Sequence, residues 1–123
     1  MVSPQLNNKI VWITGASSGL GKALAQECAA LGAKLVLSAR RYDELEKVRL
    51  ALPNAQDHLV VPMDITDESQ VRHAYAQVLA AKRRIDWLIN YAGLHQRAFL
   101  QVTTMSTERA FLVDDVFAHV FMP

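Results

Sequence analysis

The chain has 123 residues, of which 51% are hydrophobic and 20% charged, and its formal net charge is +1. That length holds one domain with a real core, and the near-neutral balance argues against nucleic acid as a partner and against an acidic tail. With one cysteine, no apolar run near the ~20 residues of a membrane helix and no basic-then-apolar leader, the expectation is a cytoplasmic protein without a disulfide framework or a membrane partner.

Strand-like and helix-like segments alternate along the chain. Lys9 to Thr14 is short, apolar and β-branched, as a buried parallel strand requires. A glycine-rich turn follows, and a helix runs from about Gly21 to Leu31 and stops at Gly32, where glycine accepts a left-handed backbone. Cys28 lies among alanines on this helix and reads as a packed core thiol. Ala33 to Ser38 is a second strand, and Asp43 to Leu52 a second helix ended by Pro53-Asn54. His58 to Met63 is a third strand. Thr66 or Asp67 caps a third helix reaching about Lys82, with acids in its first turn and Lys82-Arg83-Arg84 at its end. Ile85 to Asn90 is a fourth strand. A polar loop follows it, and Ser106 opens a last helix with Val113, Val116, Phe117, Val120 and Phe121 on one face. Trp12 and Trp87 fall on strands and read as core. The four histidines and one cysteine show no metal-ligand spacing.

Strand-helix units with short connections imply parallel strands and right-handed crossovers. The expected fold is α/β: a Rossmann-type doubly wound parallel sheet of order 3-2-1-4, ending after the fourth strand and the helix behind it. Residues 1–123 then form a single, partial dinucleotide-binding domain. In such a sheet the ligand sits where the strand order reverses, beyond the carboxyl ends of the first and fourth strands.

Thr14-Gly15-Ala16-Ser17-Ser18-Gly19-Leu20-Gly21 falls at that point. The turn lacks β-carbons where a pyrophosphate comes close, and the helix start offers free N–H groups and a positive dipole end. The second strand ends in Ser38-Ala39-Arg40-Arg41. A carboxylate there would accept from the ribose 2′-OH of NAD, whereas arginine suits the extra phosphate of NADP, so NADP(H) is preferred over NAD(H). A solvated arginine pair on a loop is the plainer reading of the same residues. Asp64, after the third strand, either contacts adenine or caps a helix.

These landmarks resemble those of the short-chain dehydrogenase/reductase family. Thr14 to Gly21 is similar to its cofactor turn, Asp64-Ile65-Thr66 to its adenine-contact segment, and Asn90-Tyr91-Ala92-Gly93 to its Asn-Asn-Ala-Gly motif, with a departure at Tyr91. The resemblance runs from about residue 8 to the C-terminus. It implies hydride transfer between NAD(P) and a small-molecule alcohol or carbonyl. It also implies that Ser17, Ser18 and Leu20 line the phosphates beside Gly15, Gly19 and Gly21. Arg40, with Arg41 beside it, would hold the 2′-phosphate, Asp64 and Ile65 would meet adenine, and Asn90, Ala92 and Gly93 would flank the nicotinamide ribose.

The family's proton chemistry uses a serine and a Tyr-x-x-x-Lys pair. In this sequence Tyr42 is followed four residues on by Glu46, Tyr75 by Leu79 and Tyr91 by His95. In the family that pair lies beyond the position matching Pro123. Asp115 stands at a family asparagine position, where an ionised carboxylate accepts but cannot donate; a solvent-facing Asp114-Asp115 pair on a helix is the preferred reading. The chain alone is therefore expected to be inactive: the cofactor-binding half of an enzyme, a truncated binding or dimerising module, or a remnant that holds no cofactor. The fourth strand would be a bare edge and the last helix an exposed apolar stripe, so self-association through either, as a homo-oligomer, is expected.

Overall fold

A computed structural model describes residues 6–94 and 97–104. Its centre is β1 (Ile10–Thr14), five buried residues that pair in parallel with β2 (Lys34–Ser38) on one side and with β4 (Trp87–Leu94) on the other. β2 pairs in parallel with β3 (Leu59–Val60), so the strands stand in the order β3-β2-β1-β4 expected from the sequence. The helices α1 (Gly19–Ala30), α2 (Tyr42–Leu50) and α3 (Glu68–Lys82) make the crossovers.

Side chains on successive strand residues point to opposite faces, and two cores result. Val11, Ile13, Leu35, Leu37 and Ile89 pack with Ala25, Cys28 and Ala29 of α1 and Leu45 and Val48 of α2. Ile10, Trp12, Val36 and Leu88 pack with Val71, Ala74, Tyr75 and Val78 of α3. A sheet buried on both faces explains why its strands read as apolar runs without polar alternation. Cys28 is buried, as expected, and burial raises its thiol pKa.

Two features differ from the sequence expectation beyond a residue or two at element ends. The third strand is a two-residue ladder, because Pro62 has no N–H to continue it; Val61 and Met63 still donate to the carbonyls of Leu37 and Ala39. The polar loop expected after Asn90 is not there. β4 continues to Leu94, and β5 (Arg97–Thr104) runs antiparallel to it, with Trp87 opposite Thr104 and Leu94 opposite Arg97. The fourth strand is therefore not a bare edge, and the self-association argued from it loses its basis. The N–H and C=O groups that the sequence left open on β4 are paired within the chain, which is how an edge is usually protected. The last helix expected from Ser106, with its apolar stripe and Asp115, lies outside the described residues. No helix among the described residues is long and apolar enough to cross a membrane.

The end of the sheet remote from the strands' carboxyl ends is closed by polar side chains. Asp86 is buried and accepts from the Ile10 N–H at 2.8 Å, and Arg84 donates to it at 3.0 Å. His58 is also buried. Its Nδ1 accepts from the Leu35 N–H at 3.0 Å, so Nε2 carries the proton and donates to the Pro53 carbonyl at 2.8 Å. Burial holds its pKa below the ordinary imidazole value of about 6.5 despite the Pro53 bond. The folded state thus prefers neutral His58, and its contribution is complete above about pH 6.5. As pH falls below that value, the unfolded chain takes up a proton first and stability declines towards the lower folded pKa. The urea midpoint is expected to be lower at pH 5.5 than at pH 8, with a smaller drop in His58→Asn. An equal drop in the two proteins would show that His58 is not the group responsible.

Candidate dinucleotide site

The glycine turn is built by three close approaches. Gly15 and Gly19 have positive φ, +68° and +56°, a region open to glycine at little cost. A β-carbon on Gly15 would stand 2.1 Å from the Tyr91 carbonyl oxygen, and one on Gly21 would stand 1.9 Å from the Gly15 carbonyl oxygen. One on Gly19 would lie 3.3 Å from the Tyr91 hydroxyl. The sequence reading gave the missing β-carbons to a pyrophosphate. In the structure the space at Gly15 and Gly21 is taken by the chain's own backbone, which draws β1, the start of α1 and the middle of β4 into one tight unit. The Ala16 N–H donates to the Ser38 carbonyl and ties the turn to β2 as well.

This packing leaves the start of α1 exposed, with no side-chain cap on its first donors among the described residues. Ser18 is the N-cap residue, but its side chain makes no capping hydrogen bond, and the first turn carries no acid. Ser18, Gly19 and Leu20 are exposed. A helix start without a carboxylate or a cap is suited to an external anion.

Beside it lies a cleft of about 340 Å³ lined by Thr14 and Gly15 from β1 and the turn, Ser38, Ala39 and Arg40 after β2, Met63 to Thr66 after β3, and Tyr91. Arg40 and Asp64, placed on separate strand ends by the sequence, meet here. The Asp64 carboxylate accepts from the Thr66 hydroxyl at 2.6 Å and from the Thr66 N–H at 2.9 Å. Those bonds, and more weakly the Arg40 charge, hold its pKa below the usual range. Asp64 is not the helix cap: Asp67 takes that place and accepts from the N–H groups of Ser69 and Gln70. Between the two roles that the sequence left open, capping is thus removed, and Asp64 faces the cleft. Ile65 lines it too.

Asn90 is buried beneath the cleft, at the register position opposite Thr14, whose hydroxyl donates to Asn90 Oδ1 at 3.0 Å. Its Nδ2 has no partner among the described residues. A buried donor left unpaired costs about 1–3 kcal/mol, so a ligand acceptor reaching Asn90 would be favoured. Arg41 is placed elsewhere. It occupies the position before α2, is exposed and faces Glu44 at 3.7 Å, outside the cleft lining. Ala92 and Gly93 lie on β4 opposite Phe99 and Ala98. Ser17 borders the turn without lining the cleft.

Thr14 and Thr66 line the cleft from within the turn and the adenine segment already read in the sequence, while Ser38, Ala39, Met63 and Tyr91 line it with no ligand role read for them. The strand order carried the signal for Ser38, Ala39 and Met63, since each is at or just past the carboxyl end of a strand. No group of three or more His, Cys, Asp or Glu side chains that could hold a metal occurs among the described residues.

Comparison with known proteins agrees with this geometry. A family model described as short chain dehydrogenase matches residues 9–121. Dehydrogenase/reductase SDR family member 7 from Homo sapiens is 42% identical over 113 residues, which are 88% of this chain and 33% of that protein. The chain thus spans about a third of the length of this relative. Among solved structures, L-sorbose reductase from Gluconobacter frateurii, complexed with NADPH and L-sorbose, superposes with a TM-score of 0.69 at 32% identity, over 76% of this chain and 36% of that one. The 3-ketoacyl-(acyl-carrier-protein) reductase from Brucella melitensis, complexed with NADH, gives a TM-score of 0.62 at 34% identity, over 67% of this chain and 33% of that one.

Proposed function

The chain belongs to the short-chain dehydrogenase family, and from that premise we propose that it is the dinucleotide-binding half of an NADP(H)-dependent oxidoreductase acting on an alcohol or carbonyl. The observation that carries the reading is the cleft at the strand-order reversal, where Arg40 and Asp64 stand together beside the uncapped start of α1. The residues fit the cofactor. The α1 N–H groups at Ser18 to Leu20 would receive the pyrophosphate, and Arg40 the 2′-phosphate through paired hydrogen bonds. Asp64 and Ile65 would meet the adenine, the carboxylate accepting from its amino group. Asn90 would use its free Nδ2 towards the nicotinamide ribose, while Thr14 holds its other end. Arg41, facing Glu44 outside the cleft lining, is given no part in holding the 2′-phosphate.

NADP(H), when bound, supplies or accepts the hydride. The protein's part is then to hold the dinucleotide rigidly, and the three glycine contacts do this by locking β1, α1 and β4 together. Proton transfer needs a donor with a matched pKa, and this sequence has no Tyr-x-x-x-Lys pair to provide one. The 123-residue chain therefore binds cofactor and does not by itself reduce a carbonyl.

Thermal unfolding with added cofactor tests the reading. NADPH at 100 times its Kd stabilises a protein that binds it only when folded by about 2.7 kcal/mol. The chain is expected to show such a shift with NADPH and a smaller one with NADH at equal concentration, and no NADPH consumption with a panel of aldehydes and ketones. No shift with either dinucleotide would refute the binding claim, and steady carbonyl reduction would refute the claim that binding is all the chain does.

A further inference from the structure

The motif Asn90-Tyr91-Ala92-Gly93 departs from the family pattern at Tyr91, and Tyr91 lies against the glycine turn. Strand alternation puts its side chain on the opposite face from Asn90, the face on which Ile89 packs with α1. Its Cδ2 is 3.2 Å from the place of a Gly15 β-carbon, and its Cε2 and Cζ are 3.8 and 3.9 Å from the place of a Gly19 β-carbon. The ring therefore spans the turn, and its hydroxyl ends beside Gly19, 3.3 Å from that same place. Gly19 is the first residue of α1, where no side chain among the described residues caps the first donors. Tyr91 is half-buried and lines the cleft, so its ring is held while its hydroxyl can meet a ligand. The hydroxyl makes no hydrogen bond among the described residues.

The geometry points to Tyr91 as a positioning residue for the dinucleotide, with its hydroxyl donating to the pyrophosphate at the start of α1. The inference rests on the dinucleotide reading of the cleft. A phenol serves here where asparagine would not, because a short amide side chain rooted on β4 ends before Gly19. A ring clamped between strand and turn also loses little further freedom when the ligand arrives. The pyrophosphate is common to NADPH and NADH, so this contact adds affinity for both and does not choose between them. That choice stays with Arg40.

Tyr91→Phe keeps the ring and removes the hydroxyl. It is expected to weaken both NADPH and NADH binding by about tenfold, the loss of one hydrogen bond to a charged group. It should leave unchanged the unfolding midpoint and the binding of adenosine 2′-monophosphate, which has no pyrophosphate. A ring that only fills space would leave all three ligands unaffected, and that result overturns the assignment. Equal weakening of NADPH and adenosine 2′-monophosphate overturns it too, since the effect would not be at the pyrophosphate. If the unsubstituted chain binds adenosine 2′-monophosphate but neither dinucleotide, the dinucleotide reading itself falls and the Tyr91 role with it.

Discussion

Arg40→Asp is expected to reverse the cofactor preference, raising the Kd for NADPH by roughly 30- to 150-fold while NADH binds as well or better. Hydrogen bonds to a charged group contribute about 1.5–3 kcal/mol each. Arg40 is exposed, so solvent screening reduces the sum of two such bonds to about 2–3 kcal/mol. The substitution does more than delete a partner. Asp64 shares the cleft and already feels the Arg40 charge. A second carboxylate would put two negative groups where the 2′-phosphate must sit, while offering the free ribose hydroxyl of NADH an acceptor. Titrating both cofactors into both proteins measures the change. Equal affinity for NADPH and NADH in the unsubstituted chain, or a ratio that Arg40→Asp leaves alone, would contradict the role given to this residue.

Gly21→Ala is the second large effect. Alanine inside a helix normally stabilises by about 1 kcal/mol relative to glycine. Here the sign is expected to be opposite. Gly21 is buried in the first turn of α1, and the added methyl would fall 1.9 Å from the Gly15 carbonyl oxygen and 2.8 Å from its carbon. Neither is the end of a flexible side chain. The turn must open, and opening it disturbs the Gly15–Tyr91 approach and the Ala16–Ser38 hydrogen bond together. A net loss of about 3 kcal/mol is expected, at the upper end for overpacking, with loss of dinucleotide binding. Urea denaturation gives the number directly. Lys22→Ala, one residue on and exposed, is the control and is expected to stay within about 0.5 kcal/mol of the parent. Stabilisation by Gly21→Ala would mean that the turn is not packed as described.

The same residues explain what could be read from the sequence and what could not. β1, β2 and β4 were legible because a sheet covered on both faces writes itself as unbroken apolar runs, and the helices because Gly32, Pro53 and Asp67 mark their ends. The cleft followed from strand order: Arg40 and Asp64 are 24 positions apart in the sequence and come together once β2 and β3 are neighbours. β5 was not legible. Its Phe99, Val102 and Thr103 suit a strand and β4 was read with a free side, but nothing local to residues 97–104 says that this segment turns back to fill it. The glycines were legible as glycines and not in their use. Nothing in Gly15-x-x-x-Gly19-x-Gly21 says whether a missing β-carbon makes room for a ligand or for the protein's own backbone. Tyr91 shares that difficulty: alternation gives its face, and only the assembled turn gives its neighbour.

The central claim is that a dinucleotide binds across the carboxyl ends of β1, β2 and β4. Backbone amide shifts followed by NMR during an NADPH titration test it most directly. The account predicts that the large shifts fall on Gly15 to Gly21, Arg40, Asp64 to Thr66 and Asn90 to Gly93, while Asp86, His58 and the rest of the opposite end of the sheet stay still. Saturable shifts centred anywhere else, or none at millimolar NADPH, would contradict it.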